Sequence, residues 1–208
     1  LEAGIADRLT MTIEAGAIGG VPQGGHSLGA AANVEVLIGQ PNLFDFYDGG
    51  GLDLTCLGLA QADAKGNINV SKFNGRMVGC GGFVNISQNT KNVIFCGTFT
   101  AGKSLIEVRD RGLQIVQDGE FTKFVDQVEQ ITFSGEYGVQ TGQNVLYVTE
   151  RAVFRLTEGG LELIEIAPGI DLEKHILDKM DFKPLISRNL KEMDADIFDN
   201  TPLKIGGR

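Results

Sequence analysis

A glutamate followed by closely spaced glycines is the part of the sequence best suited to chemistry. Glu14 precedes Gly16, Gly19 and Gly20. A carboxylate can attack a carbonyl carbon as a nucleophile. Glycines beside it let a ligand approach the backbone, whose N–H groups can then face a developing negative charge. A glutamate on an ordinary glycine-rich turn would show the same spacing. Spacing alone therefore leaves a nucleophile and a structural turn residue as alternatives.

A second glycine cluster, Gly79-Cys80-Gly81-Gly82, offers another loop that could cradle an anion. It lacks the Lys and Ser/Thr of a phosphate-binding P-loop, and its spacing is not that of a dinucleotide-binding fingerprint. Nucleotide hydrolysis and Rossmann-type cofactor binding are therefore disfavoured. An oxyanion loop and a simple packing turn both remain. Lys103, directly after a glycine, could meet an anionic ligand or extend into solvent.

The remaining reactive side chains do not form a recognisable catalytic motif. His26 lies in a glycine-rich loop and His175 in a predicted surface helix, so neither a zinc site nor a serine triad is expected. We predict no metal site. The cysteines, Cys56, Cys80 and Cys96, contain no Cys-x-x-Cys pair and are odd in number. We expect small, buried, reduced thiols, as in a protein of the cytoplasm.

Composition restricts the class of protein and its partners. A chain of 208 residues with 42% hydrophobic and 22% charged residues can bury a sizeable core. The net charge of -9, without a run of Lys or Arg, argues against a nucleic-acid surface. No apolar run reaches the roughly 18 residues that span a bilayer, and the N-terminus has no signal-peptide pattern. We therefore expect neither a nucleic-acid nor a membrane partner.

The elements that would position Glu14 and the second glycine cluster are mainly strands. Residues 9–13 alternate apolar and polar side chains and predict a strand that ends at Glu14. A strand at 34–38, a short helix through 44–47 and a helix at 170–180 are also predicted. Further strands are predicted at 52–58, 67–70, 93–96, 104–109, 113–117, 130–133, 144–149, 152–157 and 161–166, the last six as an antiparallel layer. We predict one α/β domain, residues 1–208, with a polar docking tail over the last twenty residues.

Several ordered motifs resemble those of family I coenzyme A (CoA) transferases. Residues 12–22 (TIEAGAIGGVP) resemble the active-site motif of that family. The likeness continues through residues 50–58 (GGLDLTCLG), 74–82 (NGRMVGCGG) and 163–171 (LIEIAPGID). The fuller match is to propionate and acetate CoA-transferases of the short-chain acyl type. It covers nearly the whole chain and corresponds to the second, catalytic domain of a two-domain unit.

The resemblance implies a fold and a site. The fold would be an open, mixed α/β sheet of the sugar-phosphate isomerase-like type. Glu14 would be the nucleophile that becomes linked to CoA, and Gly82 would donate its amide N–H to the oxyanion. Gly81, Gly82 and Lys103 would contact CoA, which is a substrate, so that no cofactor is tightly bound. A companion N-terminal domain or subunit would complete a homo- or hetero-oligomer.

The implied enzyme moves CoA between a short-chain acyl-CoA and a free carboxylic acid, such as acetate or propionate. A glutamate side chain has a reference pKa of about 4.3, so such a nucleophile needs no separate base. This suits a chain without a catalytic histidine. A thioester hydrolase that uses the same glutamate and a noncatalytic ligand-sensing module of the same fold are the alternatives. A sensor would normally bring a DNA-binding helix pair, which the sequence does not show.

Overall fold

The computed structural model describes residues 5, 8–27 and 29–199. Within these residues the chain forms two compact units, one up to Gly51 and one from Leu52 to Asp199. That residues 1–208 act as one catalytic domain stays a prediction. No helix among the described residues has the length and apolar character needed to cross a membrane.

The first unit consists of short strands and one helix. Its elements are β1 (Thr12–Ile13), β2 (Ala17–Ile18), β3 (Val21–Pro22), β4 (Ala31–Ala32), β5 (Val36–Leu37) and α1 (Gln40–Asp48). Strands β1, β2 and β5 form an antiparallel sheet in that order, and β3 pairs with β4. Helix α1 has a proline in its first turn, where a missing N–H costs nothing. The strands predicted at 9–13 and 34–38 exist but are only two residues long, since tight glycine turns interrupt the pairing.

The second unit contains the remaining strands and helices. In chain order they are β6 (Leu54–Gly58), β7 (Gln61–Ala62), β8 (Ile68–Asn69), β9 (Lys72–Phe73), β10 (Arg76–Met77), α2 (Phe83–Gln88), β11 (Asn92–Cys96), β12 (Thr100–Ala101), β13 (Leu105–Arg109), β14 (Gly112–Gln117), β15 (Phe121–Thr122), α3 (Gly135–Gln140), β16 (Asn144–Val148), β17 (Ala152–Thr157), β18 (Gly160–Ile166), α4 (Leu172–His175) and β19 (Leu185–Glu192).

A six-stranded mixed sheet organises this unit, in the order β19-β18-β17-β16-β11-β6. Strands β6, β11 and β16 are parallel, with α2 and α3 in their connections, whereas β16, β17 and β18 are antiparallel. The predicted mixed α/β sheet is confirmed. The predicted antiparallel layer holds for β16–β18 and for the β13–β14 hairpin. It is wrong for residues 130–133, where only an isolated bridge from Phe133 to Ile68 forms.

Aromatic side chains fill the core of the second unit. The ring of Phe95 lies 5.0 Å from that of Phe133 and 5.4 Å from that of Tyr147. The ring of Phe124 lies 4.7 Å from that of Phe99 and 5.0 Å from that of Phe154. All of these rings are fully buried. Edge-to-face and tilted pairs at these distances are the favoured aromatic geometries, so this core holds the sheet rigidly beneath its loops.

The predicted helix at 170–180 is broken near its middle. Asp171 caps α4 by accepting a hydrogen bond from the Lys174 N–H. Helix α4 ends at His175, and a 3-10 turn over Leu177–Lys179 follows Ile176. Ile176 is fully buried, so packing of this side chain overrides helical continuation. Of the predicted docking tail, residues 189–192 belong to β19, which pairs with β18. Residues 200–208 lie outside the described part, and docking by the tail stays a prediction.

Candidate active site

Glu14 is the first residue of the turn between β1 and β2, where the sequence predicted it. The turn is closed by a hydrogen bond of 2.9 Å from the Gly16 N–H to the Ile13 carbonyl. The Glu14 side chain is half-buried. A carboxylate on a two-stranded turn is held by the backbone on both sides and remains reachable by a ligand.

Position 16 of this turn requires a glycine, because of its backbone conformation and its close approach to a neighbouring carbonyl. Its φ of +119° is disfavoured for side-chain-bearing residues. A Cβ atom at this position would lie 2.0 Å from the carbonyl oxygen of Ile38. The same two residues are joined by a hydrogen bond of 3.0 Å from the Ile38 N–H to the Gly16 carbonyl. The glycine thus lets the residue after β5 pack directly against the turn that bears Glu14.

Helix α1 supplies a polar contact to the strand before Glu14. Tyr47 is 2% exposed, and its hydroxyl donates a 2.8 Å hydrogen bond to the Thr12 side chain. Burial raises the pKa of Tyr47, the bond to Thr12 lowers it, and the negative charge of Glu14 raises it. The net effect is a phenol that stays protonated beside the carboxylate.

The 79–82 loop precedes α2 in the second unit. Gly79 and Gly81 have positive φ values of 87° and 54°, and added Cβ atoms at both would meet no neighbour within 4 Å. Gly82 is buried and is the N-cap of α2. Because α2 leads almost directly into β11, its start lies towards the edge at which the parallel strands end. Ligands of open α/β sheets bind at this edge.

The predicted site residues therefore fall in separate places. Glu14 belongs to the first unit, whereas Gly81 and Gly82 are neighbours in one loop of the second. Lys103 is exposed and lies on a different loop, between β12 and β13. Its carbonyl oxygen accepts a hydrogen bond of 3.1 Å from the Gln117 side chain. The backbone of Lys103 is anchored in this way while its ammonium group stays in solvent.

A pocket in the second unit contains a functional candidate that the sequence did not reveal. Its volume is about 580 Å³. The lining residues are Leu59, Ala60, Gln61, Phe73, Asn74, Ala101, Glu120, Phe121, Thr122, Lys123, Val125, Glu129 and Asp181. Lys123 is only 7% exposed.

A buried arginine supports the loops on this side of the sheet. Arg151 is fully buried and donates hydrogen bonds to Glu150 at 2.8 Å and to Asp118 at 2.6 Å. Its guanidinium carbon lies 5.1 Å from the centre of the Phe99 ring. Lys179 also approaches Asp118, at 3.4 Å. The arrangement is a charge network that joins the end of β16 to the segment after α4.

The cysteines differ from the prediction of buried thiols. All three are free and exposed. Cys56 and Cys96 lie at alternate positions of β6 and β11 from the buried Thr55 and Phe95, so strand alternation directs them to the opposite face. Burial, and then the charge of Cys56, raises the pKa of Cys96. Among residues 8–27 and 29–199 no three His, Cys, Asp or Glu side chains cluster as a metal site would require.

Two characterised proteins are about half identical to this chain. The acetate CoA-transferase YdiF of Escherichia coli K12 is 51% identical over 197 residues, which cover 95% of this chain and 37% of the relative. The caffeate CoA-transferase of Acetobacterium woodii is 52% identical over 202 residues, which cover 95% of this chain and 38% of that protein. This chain thus spans little more than a third of the length of these relatives. No protein-family model matches it.

A solved structure shows the same fold. The acyl-CoA transferase YdiF of Escherichia coli O157:H7, in a thioester complex with CoA, superposes with a TM-score of 0.92 at 48% identity. The superposition covers 98% of this chain and 38% of that one. The open mixed α/β sheet predicted from the sequence is therefore that of a CoA-transferase domain.

Proposed function

This chain belongs to the family I CoA-transferases, and we propose that it is the glutamate-bearing catalytic domain of one. The observation that carries the proposal is the position of Glu14, half-buried on the turn between β1 and β2. Its carboxylate would move CoA between a short-chain acyl-CoA and a free carboxylic acid. The name of one relative specifies acetate and that of the other caffeate.

The reaction proceeds through two covalent intermediates on Glu14. One carboxylate oxygen attacks the thioester carbonyl, and collapse of the tetrahedral oxyanion expels the CoA thiolate. The product is a mixed anhydride between Glu14 and the acyl group. The thiolate then attacks the glutamyl carbonyl, which releases the first acid and leaves a glutamyl-CoA thioester. The second acid reverses these steps and departs as its CoA ester. No proton transfer is needed, because the nucleophiles are anions.

Each tetrahedral intermediate requires hydrogen-bond donors for its oxyanion. Gly82 is our candidate donor, because the first N–H groups of a helix have no acceptor within the helix. Loss of one such donor costs about 10² to 10³ in rate. Gly81 leaves open space for a ligand beside it, and the ammonium group of Lys103 is free to meet an anionic part of CoA. We assign these three residues to CoA binding.

The whole enzyme requires more than this chain. The relatives' segments outside the match suggest a companion N-terminal domain or subunit, and we propose that the active protein is a homo- or hetero-oligomer in the cytoplasm. Coenzyme A is a substrate in this proposal rather than a tightly bound cofactor. The residues described here supply the nucleophile and one oxyanion donor. The companion would supply the remaining contacts to the acid.

Chemical trapping tests the nucleophile. The full-length protein is incubated with propionyl-CoA or acetyl-CoA, reduced with borohydride, digested and analysed by mass spectrometry. Reduction of the thioester converts the Glu14 carboxyl to an alcohol, with a loss of one oxygen and a gain of two hydrogens. The peptide with Glu35, another glutamate of the first unit, serves as the internal control. An unmodified Glu14 peptide in an active sample would contradict the proposal that Glu14 is the nucleophile.

A further inference from the structure

The 79–82 loop begins at the end of the β9–β10 hairpin. The N–H groups of Val78 and Gly79 both donate hydrogen bonds to the carbonyl oxygen of Ser71, at 2.9 and 3.2 Å. At its other end the loop leads into Phe83, which is buried in the aromatic core. The core thus fixes the end of the loop, whereas the hairpin fixes its beginning. The groups that hold the hairpin therefore also set the backbone of the loop.

A carboxylate holds the tip of this hairpin. Asn74 and Gly75 form its two-residue turn, and both have positive φ values, 52° and 74°, as turns of type I′ require. One Glu129 oxygen accepts a hydrogen bond of 2.7 Å from the Asn74 N–H, and the other accepts one of 3.1 Å from the Gly75 N–H. The bond from Gly75 and then that from Asn74 lower the pKa of Glu129. At neutral pH the side chain is therefore an anion with both oxygens available as acceptors.

A buried hydroxyl group holds the base of the same hairpin. The Thr132 side-chain oxygen lies 2.9 Å from the Ser71 hydroxyl oxygen and accepts a hydrogen bond of 3.2 Å from the Val70 N–H. Ser71 is also buried, and its N–H donates a hydrogen bond of 2.9 Å to the Asn69 side chain. The Thr132 N–H donates a hydrogen bond of 2.7 Å to the Ile68 carbonyl. Backbone and side chain of Thr132 thus both fix the residue whose carbonyl binds the start of the loop.

Both contacts come from one short segment, residues 129–132, which we call the clamp segment. Glu129 binds the tip of the hairpin and Thr132 binds its base, so the segment follows the hairpin along its length. Ile131, between them, is 58% exposed. A segment that only filled space would bury its apolar side chain. This one exposes it and directs its polar groups to the hairpin, so its contacts with the hairpin are polar and specific.

We propose that the clamp segment positions the 79–82 loop for CoA transfer, with Glu129 and Thr132 as positioning residues. This inference rests on the proposed function, in which the Gly82 N–H binds the oxyanion. Each side chain acts through the backbone, from the hairpin to the Ser71 carbonyl and from there to the loop. A hydrogen-bond donor stabilises an oxyanion only at the correct distance, so a small shift of the loop slows each covalent step.

Rapid-quench measurements of glutamyl-CoA formation in the full-length protein test the proposal. The wild type and its variants are mixed with acetyl-CoA, quenched at increasing times and weighed intact by mass spectrometry. The final fraction of thioester counts the competent sites and so reports folding, whereas the rate constant reports the placement of the loop. Glu129→Ala should lower the rate constant about tenfold and keep the final fraction near that of the wild type.

Glu129→Gln separates the two hydrogen bonds of the carboxylate. Its amide oxygen can accept a hydrogen bond from one N–H, but its amide nitrogen is a donor and cannot accept from the other. The rate constant should therefore lie between those of the wild type and Glu129→Ala, about threefold below the wild type. Glu158→Ala, at an exposed glutamate in the turn between β17 and β18, is the matched control and should leave the rate constant unchanged.

Variants of Thr132 test the base of the hairpin. Thr132→Ser keeps the hydroxyl group and should retain a rate constant near that of the wild type. Thr132→Val removes the hydroxyl group from Ser71 and from the Val70 N–H, and should lower the rate constant about tenfold. Glu129 is exposed, so its variants should fold normally and decide the matter if Thr132→Val fails to fold.

Hydrogen exchange separates this proposal from the proposed function. The amides of residues 76–82 should exchange several-fold faster in Glu129→Ala than in the wild type, and this measurement does not depend on Glu14. Unchanged exchange, or a wild-type rate constant in the folded Glu129 variants, would overturn the proposal. A smaller final fraction of thioester at an unchanged rate constant would also overturn it, by showing a role in stability alone. Absence of any thioester in the wild type would instead refute the proposed function, and the exchange rates would then decide whether the clamp segment holds the loop.

Discussion

Tyr47 and Thr12 share a 2.8 Å hydrogen bond that ties helix α1 to strand β1. Thr12 lies two residues before Glu14, and the Tyr47 ring is almost completely buried. The bond therefore fixes the strand that carries the proposed nucleophile against the helix that follows it in the sequence. It makes Tyr47 a positioning residue for Glu14.

Removal of this bond should weaken both stability and activity. Tyr47→Phe keeps the ring and deletes the donor, so the free energy of unfolding in urea should fall by about 1 kcal/mol. The kcat should fall several-fold, because the Glu14 turn loses one of its restraints. Tyr137→Phe is the control, since that side chain is 40% exposed. Equal losses in the two variants would contradict a specific role for Tyr47.

The turn itself should not tolerate a side chain at Gly16. Gly16→Ala places a methyl group in contact with the Ile38 carbonyl at a positive φ, and should destabilise the protein by more than about 2 kcal/mol. Trapping at Glu14 should be lost in parallel. Gly24 has no atom within 4 Å of an added Cβ, so Gly24→Ala should change stability by less than about 0.5 kcal/mol. Denaturant unfolding of both variants tests the contrast.

The backbone at Gly81 should govern the rate. Its φ of 54° lies in the left-handed region, which Asn tolerates and Val does not. Gly81→Asn should keep kcat within a few-fold of wild type. Gly81→Val should move the Gly82 amide away from the oxyanion and lower kcat by about 10². Wild-type kcat in a folded Val variant would argue against Gly82 as a donor.

His175 should make stability depend on pH. Burial, with the charges of Lys174 and Arg151, lowers the pKa of His175, and its Nδ1 accepts a 3.0 Å hydrogen bond from the Asp171 N–H. In the unfolded chain the histidine pKa is about 6.5, so the unfolded chain binds the proton more tightly than the folded protein does. The stabilisation is therefore present above about pH 6.5 and is lost as the pH falls below it.

Unfolding experiments between about pH 7 and 5 test this sign. The unfolding free energy of the wild type should decrease as the pH falls. His175→Asn, which keeps a hydrogen-bond acceptor, should flatten the dependence. The sequence has one other histidine, His26, which is exposed, and His26→Asn should retain the wild-type slope. If the unfolding free energy of His175→Asn decreased more steeply with falling pH than that of the wild type, His175 would not be the source of the pH dependence.

The Asp118 carboxylate should matter most at neutral pH. Partial burial acts to raise its pKa, but hydrogen bonds and charges from Arg151 and Lys179 outweigh burial and lower it. The resulting stabilisation is present above the unfolded value of about 3.9 and is lost as the pH falls through the lower folded value. Asp118→Asn leaves Arg151 buried with one carboxylate fewer and should cost about 3 kcal/mol at pH 7.

The control for this prediction is an exposed aspartate. Asp126→Asn should leave stability at pH 7 within about 0.5 kcal/mol of wild type. As the pH falls from about 3.9 through the lowered pKa of folded Asp118, the wild type and the Asp118→Asn variant should converge, because the unfolded chain binds the proton first and the folded carboxylate follows. A constant difference down to acidic pH would show that lost packing, rather than lost charge, causes the effect.

Local features of the site were predictable and long-range ones were not. The turn at Glu14 follows from a glycine whose φ other residues avoid, so residues 13–16 contain the information themselves. The burial of Lys123 depends instead on Thr98, Gly97 and Leu59, which only the sheet brings together. No local sequence pattern predicts that the Lys123 side chain is buried where β6 and β11 end.

The same distinction explains the errors in the fold. Residues 130–133 alternate like a strand, but a strand needs a partner along its length, and Phe133 finds only a bridge to Ile68. The prediction of buried thiols is wrong for Cys56 and Cys96, because the face of β6 and β11 that meets the core depends on the packing of the sheet and not on the local sequence. Parallel pairing of β18 with the distant β19 likewise lies outside local sequence.

Transfer of oxygen from the acid to Glu14 is the most direct test of the central claim. The full-length enzyme is incubated with acetyl-CoA and acetate labelled with ¹⁸O in both carboxylate oxygens, and the Glu14 peptide is weighed by mass spectrometry. The anhydride pathway leaves one labelled oxygen on the Glu14 carboxylate in each turnover and predicts a corresponding gain in mass. An unlabelled Glu14 peptide from an enzyme that has turned over would contradict nucleophilic attack by this glutamate.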